Sequence, residues 1–145
     1  LEGEGILVKN SGCKQLMAAF ILAVIAFLQP LTARGQTAYY RNVSVAEFSR
    51  WLETKDFLLI NVHVPYQGEI PGTDLLLPYH SIYRHKDRLP ADRDAKIVVY
   101  CLTGPMGNVA AGKLVELGYT RVFHFAGGMR GWVRSGRELL YRNDR

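Results

Sequence analysis

The sequence has two cysteines, and the setting of Cys101 is the one that suggests chemistry. Cys101 follows the run Lys96-Ile97-Val98-Val99-Tyr100, whose length and β-branched content predict a buried strand. After it come Leu102, Thr103, Gly104, Pro105, Met106 and Gly107, a segment broken by glycine and proline, and then a helical pattern from Asn108 to Leu117. The thiol therefore sits at a strand-to-helix turn. In an open parallel sheet, ligands collect beyond the carboxyl ends of the strands. Loop amides and the positive end of the next helix can curl around an anion there, whether thiolate or persulfide. A free thiol is only a few per cent ionised at neutral pH, and helix N-termini favour the thiolate that acts as nucleophile. The competing reading is a buried cysteine acting as a small hydrophobe. The loop glycine and the helix start weigh against it.

Other chemistries fit less well. A cysteine phosphatase needs an arginine six residues after the thiol to clamp a tetrahedral oxyanion, and Gly107 stands there. Nothing places His63 against Cys101 as a hydrolytic dyad. The spacing of His63, His80, His85 and His124 offers no metal cluster. His80, His85 and His124 read as surface or packing residues, and Trp132 as core. Thr103 can donate its hydroxyl to a bound sulfur or stabilise the turn, and sequence favours neither.

The elements that must position this turn alternate between strand and helix. Residues 37–42 predict a short linker and a first edge strand. Ser44-Val45-Ala46-Glu47 predicts a capping box opening a helix to about Glu53, with Val45, Phe48, Trp51 and Leu52 on one side. Phe57 to Val62 is a nearly continuous apolar run, as in a strand covered on both faces. A loop from Pro65 to Thr73, a short strand Leu75–Leu77, an ambiguous charged stretch from Tyr79 to Leu89 and a turn at 90–94 follow. Gly118 closes the helix after Cys101 in the left-handed conformation. Val122 to Phe125 predicts the next strand, and Gly127-Gly128 opens a last helix through Trp132. The basic tail 134–145 is expected to fray. The alternation argues for an α/β domain with a parallel sheet and helices on both faces.

The N-terminus differs in kind. Leu16 to Leu28 is thirteen residues without a charge, preceded by Lys9 and Lys14 and followed by Gln29-Pro30-Leu31-Thr32-Ala33. This is the layout of a secretory signal. At about 1.5 Å per residue the run spans roughly 20 Å, short of the ~30 Å hydrocarbon core, so a cleaved leader over 1–33 is favoured over a permanent anchor. The expected location is periplasmic or secreted, with membrane association only if the leader is retained. Cys13 departs with the leader, and no internal disulfide is then possible. Residues 1–33 carry two acids and two bases, so the net charge of +5 belongs to the rest of the chain. That favours small anions or acidic partners. No basic run with interleaved aromatics suggests nucleic acid.

Three segments resemble those of single-domain rhodaneses, in that family's order and spacing across residues 43–133. K-I-V-V-Y-C-L-T-G-P-M-G-N-V-A-A-G-K-L-V-E-L-G-Y is similar to their active-site segment, and V-F-H-F-A-G-G-M-R-G-W at 122–132 to their C-terminal G-G-x-x-x-W signature. L-L-I-N-V-H at 58–63 and G-E-I-P-G-T-D at 68–74 are similar to L-x-D-x-R and G-H-I-P-G-A. The resemblance implies a rhodanese-like α/β fold with a central five-stranded parallel sheet and helices on both faces. It also implies a sulfurtransferase in which Cys101 accepts sulfane sulfur as a persulfide and passes it to a thiophilic acceptor, with no metal or organic cofactor. Partners would be small sulfur-containing anions, persulfides and thiols. The alternative is a non-catalytic sulfur carrier or interaction module with an envelope protein partner.

The departures are informative. Where the family often has C-R-x-G-x-R, Leu102 and Met106 occupy the cationic positions, resembling a variant branch. A charge-assisted hydrogen bond contributes about 1.5–3 kcal/mol, so binding of dianionic thiosulfate is expected to be weakened. Asn61 and His63 replace the usual Asp and Arg. Arg130 and His63 are the candidate substitutes for the missing cations.

Overall fold

In the computed structural model, residues 39–142 are described, so the leader and Cys13 lie outside the described residues. Five strands form one sheet: β1 Arg41–Val43, β2 Leu58–Asn61, β3 Leu75–Leu76, β4 Ile97–Tyr100 and β5 Val122–Phe125. All pairings are parallel, in the order β1-β5-β4-β2-β3. β4 lies at the centre, and every one of its residues is buried. Its uniformly apolar sequence follows from that position, because both of its faces are covered.

The covering layers are helical. Helix α1, Val45–Glu53, and helix α3, Gly128–Arg134, cover one face, where Phe48, Met129 and Trp132 pack on Val98, Tyr100 and Phe125. Helix α2, Pro105–Glu116, and the 3₁₀ segment Ile82–Arg88 cover the other. There Ala110, Ala111, Leu114 and Ile82 pack on Ile60, Val99 and Cys101. Phe48 stacks on Phe125 at 4.5 Å between centroids, which fixes α1 over the β5 end of the sheet.

Three expectations change in detail. The helix after Cys101 starts at Pro105 rather than Asn108, because proline at the first helical position loses no hydrogen bond there. Only half of the capping box forms: Ser44 Oγ accepts from the Glu47 amide at 3.2 Å. The Glu47 carboxylate turns to Arg41, accepting from both terminal guanidinium nitrogens at 2.8 and 3.2 Å, and this pairing holds its carboxyl below the usual range. A bidentate charge-assisted contact outcompetes the single bond back to the cap.

The third change concerns the tail, which through Arg142 is tied down rather than frayed. Leu140 pairs antiparallel with Glu69, with both backbone bonds at 2.8 Å. Arg142 Nε donates to the Glu69 carboxylate at 2.9 and 3.0 Å, and Trp132 Nε1 donates to the Glu138 carbonyl at 2.8 Å. Glu69 is buried, and a buried carboxylate requires such a partner. The tail thus straps the long connection between β2 and β3 onto α3. No helix among the described residues is long and apolar enough to cross a membrane.

Candidate active site

Cys101 sits one residue beyond β4, between the sheet and α2. It is buried, and its Sγ accepts the amide hydrogen of Gly104 at 3.0 Å. Gly104 reaches that position with φ +119, in the left-handed range, and a side chain there would crowd the Ala126 carbonyl at 3.1 Å. Helix α2 has no side-chain cap. Its first residue is proline, so the amides of Met106 and Gly107 are the first of the helix to lack an intrahelical acceptor. The sulfur therefore lies at a turn whose donors are backbone amides rather than cations.

A second element fixes the other side of the turn. The Met129 amide donates to the Cys101 carbonyl at 2.9 Å, and the Arg130 amide to the Leu102 carbonyl at 3.0 Å. The loop is thereby clamped onto the start of α3. Such proximity requires Gly128: a Cβ on it would lie 2.6 Å from the Leu102 carbonyl oxygen and nearer still to that of Cys101, and its φ is +55. The glycine pair read as a turn into the last helix is also the surface on which the cysteine loop rests.

His124 lies beneath the loop. Val122 and His124 share one face of β5 by strand alternation, and that face looks onto α2. His124 is 3% exposed, and its Nδ1 pairs with Asn42 Oδ1 at 3.0 Å. Because that oxygen only accepts, Nδ1 carries the hydrogen and Nε2 presents its lone pair. Nε2 is buried without a partner among the described residues. A Cβ on Gly107 would lie 2.6 Å from it, so the absent side chain lets α2 pass directly over the ring. Burial lowers the His124 pKa below its ordinary value. This packing role matches expectation, but its place under the loop was missed. The available signal was an inward-facing polar residue in V-F-H-F.

The other expected residues divide. Leu102 and Met106 are half-buried, while Thr103 and Pro105 are exposed at the loop surface. Arg130 comes to the loop through its backbone amide, and its side chain is exposed. Asn61 organises the connection after β2: its Nδ2 donates to the Gly68 carbonyl and its Oδ1 accepts from the His63 amide, both at 3.0 Å. His63 is half-buried at the end of β2, and neither ring nitrogen has a partner among the described residues. No three potential metal ligands come together among the described residues.

Two expectations follow from this geometry. Gly128→Ala should cost about 1–3 kcal/mol from the left-handed backbone alone. It should also displace the Cys101 loop, read as a lowered urea midpoint together with faster alkylation of Cys101; an unchanged midpoint and rate would contradict the clamp. For His124, the folded pKa lies below the unfolded one, so the neutral ring's contribution is complete above about pH 6.5 and is lost as pH falls through the folded value. Thermal stability should therefore fall between pH 7.5 and 5.5, and His124→Asn should flatten that slope. An equal slope in the variant would refute the assignment.

Comparison with known proteins agrees with this architecture. A model of the rhodanese-like domain matches residues 44–135. A sulfurtransferase from Allochromatium vinosum is 38% identical over 94 residues, covering 63% of this chain and 85% of the relative. The thiosulfate sulfurtransferase GlpE of Pseudoalteromonas translucida is 26% identical over 106 residues, covering 71% and 98%. The human single-domain sulfurtransferase TSTD1 superposes with a TM-score of 0.58 at 24% identity, over 64% of this chain and 95% of that one. The last likeness concerns the fold alone, while the named relatives support a sulfurtransferase-type function. With well over half of its length matched by the family model, the chain belongs to the rhodanese-like domain family.

Proposed function

We propose that Cys101 carries out sulfur transfer by a ping-pong route through a persulfide. The Cys101 thiolate attacks the outer sulfur of a sulfane donor. The donor's sulfur–sulfur bond breaks, and its electron pair leaves with the remaining anion, which is sulfite when the donor is thiosulfate. A thiophilic acceptor, such as cyanide or another thiolate, then attacks the outer sulfur of the persulfide and restores the Cys101 thiolate. Both enzyme forms place an anion at the turn. The observation that carries this reading is the Gly104 amide directed at Sγ, at the residue that precedes the first turn of α2.

The loop supplies no cation at Leu102 or Met106, so thiosulfate meets backbone amides there in place of two guanidinium groups. A high KM for that donor is the consequence. We also propose that residues 1–33 act as a cleaved export signal and that the domain works outside the cytosol. Its lone cysteine there is then kept for reaction rather than for a bridge.

With thiosulfate and cyanide, the protein should release thiocyanate, and Cys101→Ser should release none. Thiocyanate from the variant would overturn the assignment. Uptake of sulfur without release to cyanide or to any thiol would favour a carrier in place of an enzyme. N-terminal sequencing of the exported protein should begin at or near Arg34, and an intact leader would contradict cleavage.

A further inference from the structure

His124 lies on the same face of the sheet as the reacting cysteine. Its strand partner in register is Val99, and Cys101 follows two residues along, on the same side of the chain. Two glycines of the turn into α2 touch both residues. A Cβ on Gly107 would meet His124 Nε2 at 2.6 Å and the Cys101 amide nitrogen at 3.6 Å. A Cβ on Gly104 would lie 4.0 Å from His124 Cε1, and the amide of Gly104 is the one that donates to Sγ at 3.0 Å.

The ring is occupied on one side only. Nδ1 is committed to Asn42, and Nε2 is buried with its lone pair unused among the described residues. Burial, the larger influence, favours the neutral ring, whereas the Gly104 backbone favours the protonated one. The Gly104 carbonyl accepts the Asn108 amide at 2.9 Å and keeps a second lone pair. The titratable groups facing the ring are Tyr40 from β1, edge-on at 6.2 Å, and Cys101 beyond β4. Charged side chains of the same elements are engaged elsewhere: Arg41 with Glu47, Lys113 with the Tyr79 carbonyl and Glu116 with Tyr83. Tyr40 gives its hydroxyl to Asn108. Cys101 is thus the neighbour whose charge changes during sulfur transfer.

With Leu102 and Met106 in the loop, an anion on the sulfur has no loop cation to balance it. We propose that His124 is its counter-cation, neutral while Cys101 is a thiol and protonated at Nε2 once the sulfur becomes anionic. This inference rests on the sulfur-transfer reading of Cys101 and deepens it. His124 does not touch the donor; it is a positioning residue that acts on the sulfur through charge and through the glycine turn. Atoms and charges balance. With thiosulfate, the proton lost by the thiol is matched by one gained at Nε2. The thiolate bonds to the outer sulfur, and sulfite takes the electron pair of the broken sulfur–sulfur bond. Thiol, neutral imidazole and dianion become persulfide anion, imidazolium and dianion. Cyanide then removes the outer sulfur as thiocyanate, and Nε2 gives up its proton as the thiol is restored.

The linkage is reciprocal, so an anion at Cys101 must raise the proton affinity of His124. Unit charges about 7 Å apart at an effective dielectric of about 20–40 couple by roughly one to two pH units. Iodoacetate and iodoacetamide leave adducts of nearly equal size on Cys101, one anionic and one neutral. His124 is titrated in each by ring NMR, its signal assigned through contact with the Tyr40 ring. The carboxymethyl protein should titrate about one pH unit or more above the carbamidomethyl protein. Equal values overturn the linkage. Protein loaded from thiosulfate should differ from the reduced form in the same direction. In turnover, His124→Gln should lower kcat/KM for thiosulfate several-fold at about pH 6 and leave it unchanged at about pH 8.5, where the ring is neutral throughout. A loss of equal size at both pH values marks a merely structural role and overturns the proposal. If the adducts differ and no sulfur loads onto Cys101, sulfur transfer falls and the linkage stands. If sulfur loads and the adducts agree, the linkage falls and sulfur transfer stands.

Discussion

Two backbone hydrogen bonds hold the cysteine turn to the start of α3, and the conformation of everything around the sulfur depends on them. The carbonyls of Cys101 and Leu102 point toward α3 and are received by the amides of Met129 and Arg130. A carbonyl facing a sulfur anion would repel it, so directing these two away leaves the inner side of the turn to amides. The Gly104 amide is the donor already seen at Sγ. Gly128 makes the clamp possible because only a residue without Cβ permits that approach.

Under the clamp, α2 packs closely against the sheet beside Cys101. Gly107 allows this by resting on the His124 ring, and His124 is fixed by Asn42 from edge strand β1. Outside the clamp, α3 is held in turn by the tail. Trp132 donates to Glu138, and Glu69 receives Arg142 across the β2–β3 connection. The geometry at Cys101 is thus supported by pieces distant in sequence. This supplies with dipoles and amides what a loop rich in arginine would supply with charge. In the proposed transfer, fixed dipoles would need no reorganisation as the negative charge moves from thiolate to persulfide.

Much of this was legible in the residues themselves. The all-apolar Ile97–Tyr100 run marks a strand buried on both faces, and Cys101 directly after it marks the carboxyl end where a parallel sheet binds its ligands. Gly118 was readable as a left-handed helix end and has φ +90. What could not be read were contacts made between distant segments. The pull of Arg41 on Glu47 depends on where β1 lies, so the capping box was predicted whole and forms by half. The antiparallel bridge between Glu69 and Leu140 joins residues far apart in the chain, and no local pattern in a basic tail announces it. Asn61 was readable only as a replacement for the family's usual Asp, and its contacts with Gly68 and His63 depend on the path of the loop after β2. Helix periodicity began at Asn108 because Pro105 and Gly107 read as loop residues, whereas one is a favourable first residue and the other a packing requirement.

In the proposed function, Cys101 takes up and holds sulfane sulfur in this turn. The most direct test is the intact mass of the protein after anaerobic incubation with thiosulfate, polysulfide or an organic thiosulfonate. A gain of one sulfur atom per chain is expected, removed by dithiothreitol and absent in Cys101→Ala. A mass unchanged with every donor, or a gain that persists in Cys101→Ala, would contradict it.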